Sequence, residues 1–387
     1  MRRTRLAVAL TAVAALTAAC GGGGSSDADD QITLGAWYPL SGPQAASGTP
    51  QEVGATVYFK QLNATGGIDG QKVKFITKDN AFDPQQTLQI ARDLVARDKV
   101  DAIVATNGTA TTEATFPFVL DQSKVPIFGT YGGSASWYDP PRDGLYGTQA
   151  LYEDQAESAV DWAVEAGVKD LLVVRDDPDA FANVSTVAME HGKKLGIDAS
   201  EVVVKIGTTD YAPIVNQVKS KSPDGVLLIL PPQEAAAYLN EVALQGVDVP
   251  AYGYSPAATE STIELAGKNA EGFRAVALTL PVNSDDPAVQ EYRDAMKKYA
   301  PDSALDFYSL SAYASAKAFG EILKTIDGDI TKESITAAIA KATDIETGVA
   351  PPFAFSADDH LGTDAVVRVE VKDGKYVAEG GFQSPQQ

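Results

Sequence analysis

The sequence predicts an α/β protein built on parallel sheets, and two observations carry that prediction. Apolar runs at residues 100–105, 170–174 and 225–230 have the length of strands, and their lack of alternation fits strands covered on both faces. Each is followed by a segment whose apolar residues recur at helical spacing. Such strand–helix alternation implies right-handed crossovers, with ligands at the carboxyl ends of the strands.

In chain order, Arg2, Arg3 and Arg5 precede an uncharged run over residues 6–19 that is short for a membrane span but suits the apolar core of a secretory signal. It ends at Thr17-Ala18-Ala19-Cys20, followed by a Gly/Ser stretch, and resembles a bacterial lipoprotein signal. The resemblance implies a signal peptide over 1–19, a lipidated Cys20, a tether over 20–30 and attachment outside the cytoplasmic membrane. Loss of residues 1–19 would take the formal charge from −21 to −24.

In the body, residues 84–97 place Leu88, Ala91, Leu94 and Val95 on one helical face, and residues 153–166 do so with Ala156, Val160, Ala163 and Val164. Residues 211–219 and 234–244 repeat the pattern. Near the end, Lys372-Asp373-Gly374 between two strand-like runs predicts a β-hairpin.

Composition narrows function. A length of 387 residues suits two or three domains, and 44% apolar residues indicate a folded chain. Fifty-two acidic against 31 basic side chains argue against nucleic acid as a partner. Two histidines and one cysteine leave little for a zinc site or a histidine-assisted nucleophile, and no intrachain disulfide can form from one cysteine.

The motifs are more specific. Pro39-Leu40-Ser41-Gly42-Pro43, Asn63-Ala64-Thr65-Gly66-Gly67-Ile68-Asp69-Gly70, Asp79-Asn80, Asp83-Pro84, Val125-Pro126-Ile127-Phe128, Thr209-Asp210-Tyr211, Leu265-Ala266-Gly267 and a helix from Tyr308 follow one another in a recognisable order. Together they resemble the leucine/isoleucine/valine-binding branch of the extracellular solute-binding proteins that serve ABC importers. The resemblance implies two doubly wound parallel-sheet lobes joined by three crossover segments, a type I periplasmic-binding-protein fold. Lobe 1 would span 31–149 and 279–349, and lobe 2 would span 150–278 and 350–387. It further implies a monomer that captures a small-molecule ligand between the lobes and delivers it to membrane permease subunits, with no cofactor, metal or catalysis.

Carried to positions, the resemblance places Ser47 where the family often has an aromatic residue lining the first lobe. Thr109 and Ala110 fall near the hydroxyl residue that meets a ligand carboxylate, and Tyr131, Gly132 and Gly133 on the next ligand loop. Phe181 and Pro231 occupy cleft positions from the second lobe. Ser255 stands where amino-acid binders carry an acid against the ligand ammonium. Locally, Thr109 reads equally as a helix cap. Serine supplies no charge for a buried ammonium, so either Glu234, Glu260 or another carboxylate substitutes, or the ligand is an amide, a urea-like compound or an aromatic carboxylate. Tyr131, Tyr152, Phe181 and Tyr254 suit a flat, partly apolar solute, or pack as ordinary lobe surface.

Two other readings share these residues. Gly253-Tyr254-Ser255-Pro256-Ala257, with Asp358 and His360 downstream, has part of a hydrolase nucleophile elbow, but Ala257 replaces its last glycine and Pro256 lacks the oxyanion N–H. A receptor that senses the ligand without transport would have the same fold. His191 and His360 are expected at the surface, and Asp176-Asp177-Pro178-Asp179 lacks calcium-loop spacing and reads as a solvated turn.

Overall fold

The computed structural model describes residues 31–42, 44–177 and 179–386. The predicted signal, tether and Cys20 lie outside the described residues. The chain opens with β1 (Gln31–Tyr38), α1 (Ala45–Ala64), β2 (Lys72–Asp79), α2 (Pro84–Arg92), β3 (Ala102–Val104), α3 (Thr109–Glu113), β4 (Ile127–Phe128) and β5 (Leu145–Tyr146). These strands form an all-parallel sheet in the order β2-β1-β3-β4-β5. Asp83 caps α2 by accepting from the Gln86 amide at 2.8 Å, and Pro84 at the first helical position has no N–H to leave unpaired.

The second part runs α4 (Tyr152–Glu165), β6 (Asp170–Asp176), α5 (Asp179–Lys194), β7 (Asp198–Val204), α6 (Ala212–Lys221), β8 (Gly225–Ile229), α7 (Pro232–Leu244), β9 (Ala251–Gly253), α8 (Glu260–Ala266) and β10 (Arg274–Ala277). The chain then returns to the first sheet with α9 (Pro287–Tyr299), α10 (Phe307–Leu323) and α11 (Lys332–Ile339), before β11 (Val367–Lys372) and β12 (Lys375–Ala378) complete the second sheet. That sheet is ordered β12-β11-β10-β9-β8-β6-β7, parallel from β10 to β7, with an antiparallel hairpin at the other edge. The predicted hairpin turn has φ of 52° at Asp373 and 69° at Gly374, the left-handed pair that matches strand twist.

Each sheet therefore has its own core. Val173, Val174, Leu227 and Leu228 are fully or almost fully buried in the second. In the first, α1 and α10 pack so closely that a Cβ on Gly54 would lie 1.9 Å from the Ser309 carbonyl oxygen, so only glycine permits the crossing. Ala350, Phe353 and Phe355 belong to this first core, so the third passage between the lobes begins after Phe355 rather than at residue 350.

The first and third passages are tied to each other, and the second is tied to the first lobe. Gly147 donates to the His360 carbonyl and accepts from Gly362, both at 2.9 Å, and the Leu280 amide donates to the Val349 carbonyl at 2.8 Å. The histidines expected at the surface are buried. His191 Nε2 lies 2.7 Å from Asp161 Oδ1 between α4 and α5, and His360 Nδ1 lies 3.0 Å from the Arg142 carbonyl, its ring 4.4 Å from that of Tyr146.

Candidate functional site

The carboxyl ends of β3 and β4 build the first-lobe wall. After β3 the chain is held by the Asn107 amide donating to the Trp37 carbonyl at 3.1 Å, and the Gly108 amide donates to the Tyr131 carbonyl at 2.9 Å. Gly108, with φ of 108°, precedes α3, so Thr109 is not the cap but the first helical residue. Thr109 Oγ1 instead accepts from the Gly133 amide at 3.0 Å, joining the two loops. Gly132 lies against this contact: φ is 113°, and a Cβ there would come within 2.7 Å of Thr109 Oγ1. Its amide donates to Gln149 Oε1 at 3.1 Å, at the first passage between the lobes. Ala110 is exposed, and Ser47, in the first turn of α1, donates its hydroxyl to the Gln44 carbonyl at 3.0 Å.

From the second lobe, Phe181 on α5 is half-buried against the core, and Pro231 precedes α7. Ser255, after β9, is fully buried, its amide donating to Gln155 Oε1 at 3.0 Å. Its hydroxyl has no hydrogen-bond partner, and neither has the buried hydroxyl of Tyr131. The two hydroxyls nonetheless lie near one another, since Ser255 counteracts part of the rise that burial imposes on the Tyr131 phenol. Tyr131 belongs to the first lobe and Ser255 to the second, so these two predicted positions influence one another across the lobes.

Tyrosines surround this meeting point. The Tyr131 ring stands edge-on to Tyr308 at 5.5 Å, and Tyr152 stands edge-on to Tyr254 at 5.5 Å. Tyr152, Tyr254 and Tyr308 all act electrostatically on the Tyr131 phenol, so the four tyrosines form one cluster. Burial pushes the phenols of Tyr131, Tyr254 and Tyr308 well above their ordinary range, which leaves them neutral donors at any physiological pH. Behind Tyr131, a cavity with room for roughly one water lies between Thr130, Gln149 and Ser315.

The carboxylates considered as substitutes for a missing acid are occupied. Glu234 accepts from the Gly207 amide at 2.8 Å and the Tyr211 hydroxyl at 2.6 Å. Glu260 accepts from the Phe307 amide at 2.8 Å, across the lobes. Sequence reasoning missed Gln149 and Phe307, and it misread Asp176. That residue is not in a solvated turn: it ends β6 and is completely buried. Its position at the carboxyl end of a strand, just past the apolar residues Leu171 to Val174, was the available signal. The partial elbow at Ser255 assembles no triad among the described residues, because His360 is engaged with Arg142 and Tyr146.

Residues 31–375 match the model of the periplasmic binding proteins. The chain belongs to that family. As a periplasmic binding protein it is a solute-binding protein and not an enzyme, and family membership implies an extracytoplasmic location. A Leu/Ile/Val-binding protein homologue from Brucella abortus is 26% identical over 388 residues, covering 94% of each chain. A branched-chain amino acid ABC transporter protein from Thermus thermophilus with bound valine superposes with a TM-score of 0.79 at 19% identity, covering 91% of this chain and 96% of that one. A fatty acid ABC transporter substrate-binding protein from Thermomonospora curvata gives a TM-score of 0.79 at 21% identity, covering 90% and 91%. Valine and fatty acid on the same fold show that the fold does not choose the ligand.

Proposed function

We propose that this protein is the extracytoplasmic receptor of an ABC importer, anchored through Cys20, that captures a small polar organic solute between its lobes. Amino acids, amides or urea-like compounds and aromatic carboxylates are the classes in view. One observation carries the reading: Tyr131 Oη of the first lobe and Ser255 Oγ of the second are both buried without a hydrogen-bond partner, and Ser255 acts on the Tyr131 phenol across the lobes. A buried polar group without a partner costs about 1–3 kcal/mol, and a polar solute that supplies the partners recovers that cost only when both lobes touch it. Closure around the solute then creates the surface that permease subunits recognise, and their ATPase drives import. The protein acts as a monomer and needs no cofactor.

The test is a thermal-shift screen of amino acids, amides, polyamines, aromatic acids and fatty acids. A ligand that binds only the folded state raises the melting temperature, by about 2.7 kcal/mol of stability at a hundredfold excess over Kd. A library-wide failure to raise it overturns the solute-binding reading. Uptake of the hit by cells with and without the gene then separates import from ligand sensing alone.

A further inference from the structure

Asp176 is 0% exposed, and neither of its carboxylate oxygens has a hydrogen-bond partner. The adjacent cation is turned away: Arg175 gives Nε to Glu201 at 2.8 Å and Nη1 to the main-chain oxygen of Asp176, not to its carboxylate. The groups that face the Asp176 carboxyl are Glu234 from α7, Asp177 beside it, and the phenols of Tyr211 and Tyr254. Glu234 is within hydrogen-bonding reach, yet both its oxygens already accept from Gly207 and Tyr211. Two carboxyls thus meet in a buried place with no cation between them. Burial, then the charge of Glu234, hold the Asp176 carboxyl well above the usual carboxylate range, so without a ligand a proton occupies the pair. Asp176, Tyr152 and Tyr308 all raise the Tyr254 phenol, so Tyr254 is a neighbour shared by the acid and the tyrosine cluster, and Asp176 ends β6 as Ser255 follows β9, at the carboxyl ends of strands of one sheet.

We propose that Asp176, backed by Glu234, is the subsite for a protonated amine of the bound solute, held by the two empty carboxylate oxygens beside Tyr254. This rests on the interlobe solute-binding reading and names its ligand class. A cation of this kind supplies what the site lacks: one positive charge and up to three N–H donors. Serine at 255 cannot supply the counter-charge, so the ammonium is displaced from the end of β9 to the end of β6. The amine takes over the position of the proton, which leaves for solvent.

The experiment compares primary amines and amino acids with the matching alcohols and hydroxy acids, plus simple carboxylates, by thermal shift and then calorimetry at pH 7. Amine-bearing probes are expected to bind at least tenfold more tightly than their hydroxyl counterparts. Asp176→Asn, which keeps the shape of the protonated acid, is expected to erase that preference. Calorimetry in buffers of different ionisation enthalpy is expected to show release of about one proton per amine bound to the wild-type chain. This measurement stands even if the variant does not fold. Binding that ignores the amine, is unchanged in Asp176→Asn, or releases no proton overturns the subsite and leaves solute capture intact. Failure of every probe class, together with the wider library, overturns both.

Discussion

Glu260 of α8 accepts a hydrogen bond from the main-chain amide of Phe307 at 2.8 Å, joining the second lobe to the first turn of α10. The Phe307 side chain packs in the second-lobe core while the body of its helix lies in the first. One residue pair thus reports on how the lobes meet.

That contact predicts a pH dependence. Burial raises Glu260 to about 7, Asp154 to about 7 and Asp306 to about 6. A carboxyl whose folded pKa is raised binds more protons folded than unfolded, so its contribution is full below its unfolded pKa and is lost as pH rises through the folded value. Between pH 5 and 8 stability should therefore fall with rising pH, by on the order of 2–4 kcal/mol after solvent screening. Below pH 5 the trend reverses, because Asp79, Glu165, Glu201 and Glu291 have lowered values. Thermal melts followed by circular dichroism should peak near pH 5, and Glu260→Gln should shrink the difference between pH 5 and 8. A melting temperature that rises from pH 5 to 8 contradicts the assignment.

The orphan hydroxyls separate binding from stability. Tyr131→Phe and Ser255→Ala each remove a buried oxygen that has no protein partner. The ligand-free protein should keep its melting temperature or gain up to about 1 kcal/mol. Affinity for the solute found by screening should drop about tenfold or more. Loss of stability without loss of affinity would show these hydroxyls to be structural.

At the first-lobe wall, Thr109→Ala removes the acceptor of the Gly133 amide. Phe181→Ala removes an aromatic side chain from the second lobe. Each should weaken solute binding at least about tenfold, roughly 1.4 kcal/mol, in calorimetry. Unchanged affinity in both would place the ligand elsewhere in the cleft.

Gly54→Ala tests the helix crossing that shapes the first lobe. Its new methyl group would fall against the Ser309 main chain, which cannot move without shifting α10. A loss of about 1–3 kcal/mol in urea unfolding is expected, the ordinary range for overpacking. Gly66→Ala, where open space surrounds the added Cβ at a φ of 122°, should cost only its backbone strain, on the order of 1 kcal/mol.

Much of this was legible in the residues. The run over 225–230 reads as a covered strand because nothing in it is polar, and β8 is buried along its whole length. Asp373-Gly374 announces its hairpin because few other pairs adopt two positive φ angles. His191 and Asp176 were misread for one reason. Polar residues are mostly exposed, and only tertiary neighbours reveal an exception: Asp161 for His191, and Glu234 with Tyr254 for Asp176.

By itself, then, the sequence determined the α/β alternation, the terminal hairpin and the family, because hydrophobic period and turn chemistry are local properties of the chain. Tertiary structure alone decided which polar groups are left without partners. Thr109 and Gly133, Glu260 and Phe307, and Asp176 and Glu234 meet only when segments far apart in the chain are brought side by side. Whether a buried hydroxyl or carboxylate is satisfied depends on those neighbours, and the groups left unsatisfied are the ones that a solute can complete.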